Sequence, residues 1–133
     1  MFSKFLQTLR NPIRIAGSLR GASTRIDDKF WEVNVPFPVS IYNHRSTKLF
    51  VSDNGMVCLD QGTDASAKRL GQQLPHRENI PPYSLFPYWT DLLIAQGKPH
   101  GIFWEATGTS PNRSLAIEWY VTRYNQEGVN FHT

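Results

Sequence analysis

The chain has 133 residues, of which 40% are hydrophobic, 13% aromatic and 19% charged. That length suits one domain with a modest core, and so low an overall charge argues against a coiled coil or a charged tail protein. No apolar run reaches the roughly 20 residues of a membrane helix, so no transmembrane segment is expected. The single cysteine, Cys58, excludes an internal disulfide framework and a cysteine-rich zinc finger.

The net charge of +3 divides unevenly. Residues 1–25 carry Lys4, Arg10, Arg14, Arg20 and Arg25 and no acid, whereas residues 26–133 carry nine Lys or Arg against eleven Asp or Glu, a net of −2. The body is mildly acidic and has no clustered basic face, which argues against a nucleic-acid partner. The N-terminal segment places Phe2, Phe5, Leu6 and Leu9 at near-helical spacing before Pro12 interrupts it. It has the look of a targeting presequence, mitochondrial in type, and lacks the continuous apolar stretch of a secretory signal. The alternative is a disordered basic tail. Either way residues 1–25 are set apart, and the folded domain is expected over residues 26–133.

Trp31, Val33 and Val35 alternate with Glu32 and Asn34, a strand period. Pro36 and Pro38 around Phe37 keep the chain extended and place it near a sheet edge. Val39, Ile41 and Tyr42 make a short strand that ends in the polar run Asn43-His44-Arg45-Ser46. Leu49, Phe50 and Val51 form the next. Asp53-Asn54-Gly55 is a strong tight-turn signal, because Asn-Gly tolerates positive φ, and residues 48–59 are predicted as a hairpin. Residues 60–78 read as a long polar loop, with a short helix over 65–73 as the alternative. Residues 79–87 contain Pro81, Pro82 and Pro87, which exclude a helix or central strand and leave an extended segment. Residues 88–94 begin a strand or a helical turn. Residues 101–106 are a strand carrying Ile102, Phe103 and Trp104. A seven-residue turn over 107–113 leads into the longest strand, 114–124. There Leu115, Ile117, Trp119 and Val121 share one face, with Ala116, Glu118, Tyr120 and Thr122 on the other. The two segments should pair antiparallel. The alternating run from Val129 to His132 is either a short edge strand or a strand whose partners lie in a longer chain. The pattern predicts an all-β, antiparallel β-sandwich with a long polar loop and a Pro-rich extended segment, incomplete in the second case.

The order of motifs carries a resemblance. Pro36-Phe37-Pro38 with Ile41-Tyr42 is followed by Val51-Ser52-Asp53-Asn54-Gly55, then Phe86-Pro87-Tyr88-Trp89-Thr90-Asp91-Leu92. Gly101-Ile102-Phe103-Trp104-Glu105, Pro111-Asn112-Arg113 and Ile117-Glu118-Trp119 complete the series. This resembles the nidogen-type extracellular domain, a β-sandwich module of secreted and surface proteins. The resemblance implies an extracellular or cell-surface module used in adhesion, matrix or surface binding, without catalysis, and further strands beyond Thr133.

Candidate sites follow from residue type. Tyr88, Trp89 and Asp91 form the densest aromatic and polar cluster, able to stack on a sugar or peptide and accept hydrogen bonds. The competing explanation makes Trp89 core and Asp91 a turn cap. Asp53 and Asn54 could present oxygens at a loop tip. Turn chemistry alone explains them, and one Asp is a thin set for a cation that takes six to eight oxygens. With Asp60 and Asp64 the spacing is still no EF-hand, so no metal residue is assigned. His44, His76, His100 and His132 are scattered, without the i, i+4 pairing of a helical zinc site. Glu105 and Glu118 could meet across the hairpin as paired carboxylates, or be two ordinary surface glutamates. Cys58, mid-strand, reads as a buried thiol rather than a nucleophile. Asn112-Arg113-Ser114 is an N-glycosylation sequon. These residues assign no catalytic group and no cofactor. They favour a non-catalytic binding module with a protein or carbohydrate ligand. The alternatives are a fragment of a carbohydrate-active enzyme using Glu105, Glu118 or Asp91, and an organellar protein directed by residues 1–25.

Overall fold

The computed structural model describes residues 9–64 and 80–133. The regular elements within them are strands: β1 (Ile13–Ser18), β2 (Ile26–Asp27), β3 (Phe30–Ile41), β4 (His44–Ser52), β5 (Val57–Leu59), β6 (Ser84–Leu85), β7 (Leu92–Ile94), β8 (His100–Thr109), β9 (Asn112–Arg123) and β10 (Gln126–His132). They form two sheets, with the orders β1-β8-β9-β7-β2 and β3-β4-β5-β6, and β10 pairs with β9. Every pair whose register is described runs antiparallel. This is the all-β content of the sandwich class that the alternating pattern predicts. No helix among the described residues is long and apolar enough to cross a membrane. The helix alternative over residues 65–73 lies outside the described residues, as do Phe2, Phe5 and Leu6. The chain divides into two compact units, one from Met1–Ile26 and Ile94–Thr133, the other from Asp27–Leu93.

In the second unit, β3 is an edge strand, as its prolines require. Its ladder with β4 breaks between Asn34 and Val39, across Pro36 and Pro38, which have no N–H to donate. Val33 and Val35 are buried while Glu32 and Asn34 face solvent. Ile41 pairs with His44, so the turn is the two residues Tyr42-Asn43, with Tyr42 at a φ of 54°. The run from His44 to Ser46 therefore opens β4 and does not end a strand, a correction to the sequence reading. A two-residue hairpin needs only one or two positive-φ residues, and polar side chains suit a solvated strand. The hairpin predicted over residues 48–59 is present, with Leu49↔Leu59, Phe50↔Cys58 and Val51↔Val57 in register. Leu49, Val51, Val57, Cys58 and Leu59 are all buried. The Pro-rich segment supplies the short β6, which pairs with β5.

In the first unit, β8 and β9 pair continuously from Gly101↔Tyr120 to Thr109↔Asn112. The turn is therefore Ser110-Pro111, not seven residues. Thr107 and Thr109 are β-favouring and extend the ladder. The alternation read along β9 holds only at its start, where Leu115 and Ile117 are half-buried beside exposed Ala116. From Glu118 to Thr122 every residue is buried. Both faces are covered there, so Glu118 is not the ordinary surface glutamate that one of its two sequence readings made it.

The basic N-terminal segment is not wholly outside the fold. Ile13–Ser18 pairs with β8, and Ala16 and Gly17 are buried. A register shift between Arg14 and Ala16 breaks the two-residue period that would have revealed this strand. Two of its arginines have partners within the first unit: Arg14 Nη1 donates to the Gly17 carbonyl at 3.2 Å, and the Arg25 guanidinium lies 5.5 Å from the Tyr124 ring centre.

Candidate functional site

The turn after β4 organises the second unit's most polar region. Gly55 adopts a φ of 75°, and a β-carbon there would lie 2.1 Å from the Tyr88 carbonyl oxygen. Only glycine lets the turn and residue 88 approach so closely. Asp53 and Asn54 are fully buried. The Asp53 carboxylate accepts the backbone N–H of Asp28 at 2.9 Å and of Lys29 at 2.8 Å. Asn54 Oδ1 accepts the Leu92 N–H at 2.6 Å, and its Nδ2 donates to Asp28 Oδ1 at 3.0 Å. These two side chains tie the start of β3 and the start of β7 to one turn. Both side chains are buried rather than displayed at a loop tip, with hydrogen bonds to backbone amides and to Asp28.

Burial pushes the Asp53 carboxyl up to about 8. The Lys29 and Asp28 amides pull it down, and the charges of Asp27 and Asp28 push it further up. Asp28 itself has a φ of 57°, a strained value for a residue with a side chain.

Around this turn lie the other predicted residues. Tyr88 is 38% exposed. Trp89 is half-buried, its ring 4.7 Å from that of Phe86, and its indole N–H has no hydrogen-bond partner among the described residues. Asp91 is half-buried and converges with Asp27 and Asp28, one oxygen from each lying within 4.8 Å of the others. Sequence reasoning missed Asp27 and Asp28. The only local signal was a pair of acids in front of a strand, and the fold alone brings Asp91 to them. These three carboxylates are the groups that could hold a hard cation, and they supply three of the six to eight oxygens calcium takes.

The Glu105 carboxylate accepts the N–H groups of Arg10 and Asn11 at 3.0 and 3.2 Å, fastening the chain before β1. Glu118 is buried, with Oε2 3.2 Å from His132 Nε2. The register puts Glu105 opposite Ala116 and Glu118 opposite Phe103, so the two glutamates are diagonal neighbours on one face with different partners. A cavity of about 300 Å³ beside Glu118 and His132 is also lined by Leu9, Ala116, Ile117 and Thr133. His100, scattered in the sequence, is fully buried; its Nδ1 accepts the Ala95 N–H at 3.1 Å and its Nε2 donates to Asn130 Oδ1 at 2.8 Å. Cys58 receives a hydrogen bond from Ser84 at 3.1 Å, and burial lifts its thiol to about 11, which leaves it unreactive. His44 stacks flat on Tyr83 at 4.1 Å and contacts Asp60, which also takes the Ser46 hydroxyl. The order is Ser–Asp–His, which leaves Ser46 without the imidazole base a nucleophile needs. The Ser46 and His44 contacts hold Asp60 below the usual carboxylate range.

The NIDO related family matches residues 8–132. The chain belongs to that family. The match takes in β1 as well as the strands that carried the resemblance, so the NIDO-related domain begins well before residue 26. Searches of curated proteins and of solved structures return no match.

Proposed function

We propose that this NIDO-related chain is a non-catalytic binding module of a secreted or cell-surface protein, recognising a protein or carbohydrate through the segment from Phe86 to Asp91. The observation that carries the reading is the arrangement of that segment. An exposed Tyr88 ring, the Phe86–Trp89 pair and the Asp91 carboxylate follow one another on a stretch anchored by the buried Gly55 turn. Aromatic faces beside hydrogen-bond acceptors on a rigid support suit recognition. The extracellular location rests on the family, and import to an organelle is its rival. The enzyme alternative is weakened because Glu105 is spent on two backbone amides.

The test is binding of the full chain to arrays of glycans and of extracellular matrix proteins. Saturable binding that falls at least tenfold in Tyr88→Ala, with unchanged melting temperature, is the expected result. Turnover of a glycan substrate that Glu118→Gln abolishes would overturn it in favour of the enzyme. Residence of the full chain in mitochondria rather than the secretory route would overturn the location.

A further inference from the structure

The β8–β9 hairpin ends in a polar tip. Every residue from 107 to 114 is exposed, and none of the large exposed hydrophobic side chains lies there. The tip holds Asn112-Arg113-Ser114, the one Asn-X-Ser/Thr triplet among the eight asparagines of the chain. Other asparagines are engaged: Asn54 bonds Leu92 and Asp28, and Asn130 bonds His100. The Asn112 side-chain amide makes no hydrogen bond with any described residue. It sits directly after the Ser110-Pro111 turn, in register with Thr109.

We infer that Asn112 is an N-glycosylation acceptor and that the hairpin tip carries an oligosaccharide. The donor is a lipid-diphosphate-linked oligosaccharide. Asn112 Nδ2 attacks the anomeric carbon, a C–N bond forms, the sugar–phosphate C–O bond breaks, Nδ2 loses a proton and the lipid diphosphate leaves. The Ser114 hydroxyl supplies the second half of the recognition triplet. The tip has room for the added bulk because every residue from 107 to 114 is exposed. The inference rests on the extracellular reading, since the transfer takes place only on a chain that enters the secretory pathway.

The experiment separates the two. The full chain is translated with ER microsomes behind a cleavable signal peptide, and protease protection selects the translocated product. A single mobility step, removed by peptide N-glycosidase and absent in both Asn112→Gln and Ser114→Ala but kept in Ser114→Thr, is expected. Translocated chain without the step, or a step that survives Asn112→Gln, overturns the inference. The location is read separately, by fractionating cells that make the protein natively: if the native protein lies outside the secretory pathway while the signal-bearing chain is modified in microsomes, the extracellular reading fails and the acceptor assignment stands.

Discussion

The turn between β4 and β5 buries Asp53 and Asn54 completely, whereas the turn between β8 and β9 leaves every residue from 107 to 114 in solvent. Each carries an asparagine and a glycine, Asn54 and Gly55 in the first and Gly108 and Asn112 beside the second. In the first, side-chain oxygens replace backbone partners for Asp28, Lys29 and Leu92, so the turn acts as a knot joining segments far apart in sequence. In the second, the strand ladder pairs the backbone to the last pair, Thr109↔Asn112, and the Asn112 side chain makes no hydrogen bond with any described residue. A polar turn is thus structural when its side chains complete other segments' hydrogen bonds, and available for modification or binding when they do not.

Substitutions should separate the two turns sharply. Gly55→Val should have the largest effect, because it puts a β-branched side chain at a φ of 75° with its β-carbon 2.1 Å from the Tyr88 carbonyl. A loss beyond about 4 kcal/mol is expected, visible as failure to recover folded protein. Recovery with a near-native melting temperature would mean that the turn can open without cost.

Asn54→Ala comes next. It strands the buried Leu92 N–H and removes the donor to Asp28. With about 1–3 kcal/mol for each orphaned buried group, a loss of about 3 kcal/mol in urea unfolding is expected. Leu92 should also lose protection from amide exchange before the rest of β7, a local signature that general loosening would not give.

Asp53 adds a pH dependence. Its folded carboxyl holds its proton to about 8, against 3.8 for the ordinary group. Between those values the folded state binds more protons than the unfolded one, so this group's contribution to stability falls as pH rises from about 4 to about 8. The slope is at most about 1.4 kcal/mol per pH unit. The urea midpoint should therefore drop between pH 5 and pH 7.5, and Asp53→Asn should flatten that drop. Asn keeps one acceptor oxygen of the two, so the variant should also start from a lower midpoint at pH 5.

How much of this was readable from the chain depends on range. The 48–59 hairpin, the edge position of Pro36 and Pro38 and the buried Cys58 follow from local rules, because turn propensity and the missing proline N–H act on neighbours. The β8–β9 turn was read too long, since Thr107 and Thr109 can serve as turn or strand and only the register decides. β1 was missed because its bulge at Arg14–Ala16 erases alternation and its arginines suggest a leader. The binding candidates Tyr88, Trp89 and Asp91 were visible by type. That Asp91 meets Asp27 and Asp28, and that Asp53 and Asn54 face inward, depends on contacts spanning 24 to 38 residues and more, which no period or motif encodes.

The smallest effect should come from the exposed turn, and it is the sharpest check on the comparison. Asn112→Ala removes a side chain with no hydrogen bond among the described residues, on a tip exposed on both sides of the turn. Its stability change should stay within about 0.5 kcal/mol, the usual range for surface positions without special features. The backbone pairing with Thr109 does not depend on the Asn112 side chain, so exchange protection along β8 and β9 should be unchanged. A loss near that of Asn54→Ala would mean that Asn112 also completes another segment's hydrogen bonds. The distinction between a turn that knots and a turn that only connects would then collapse.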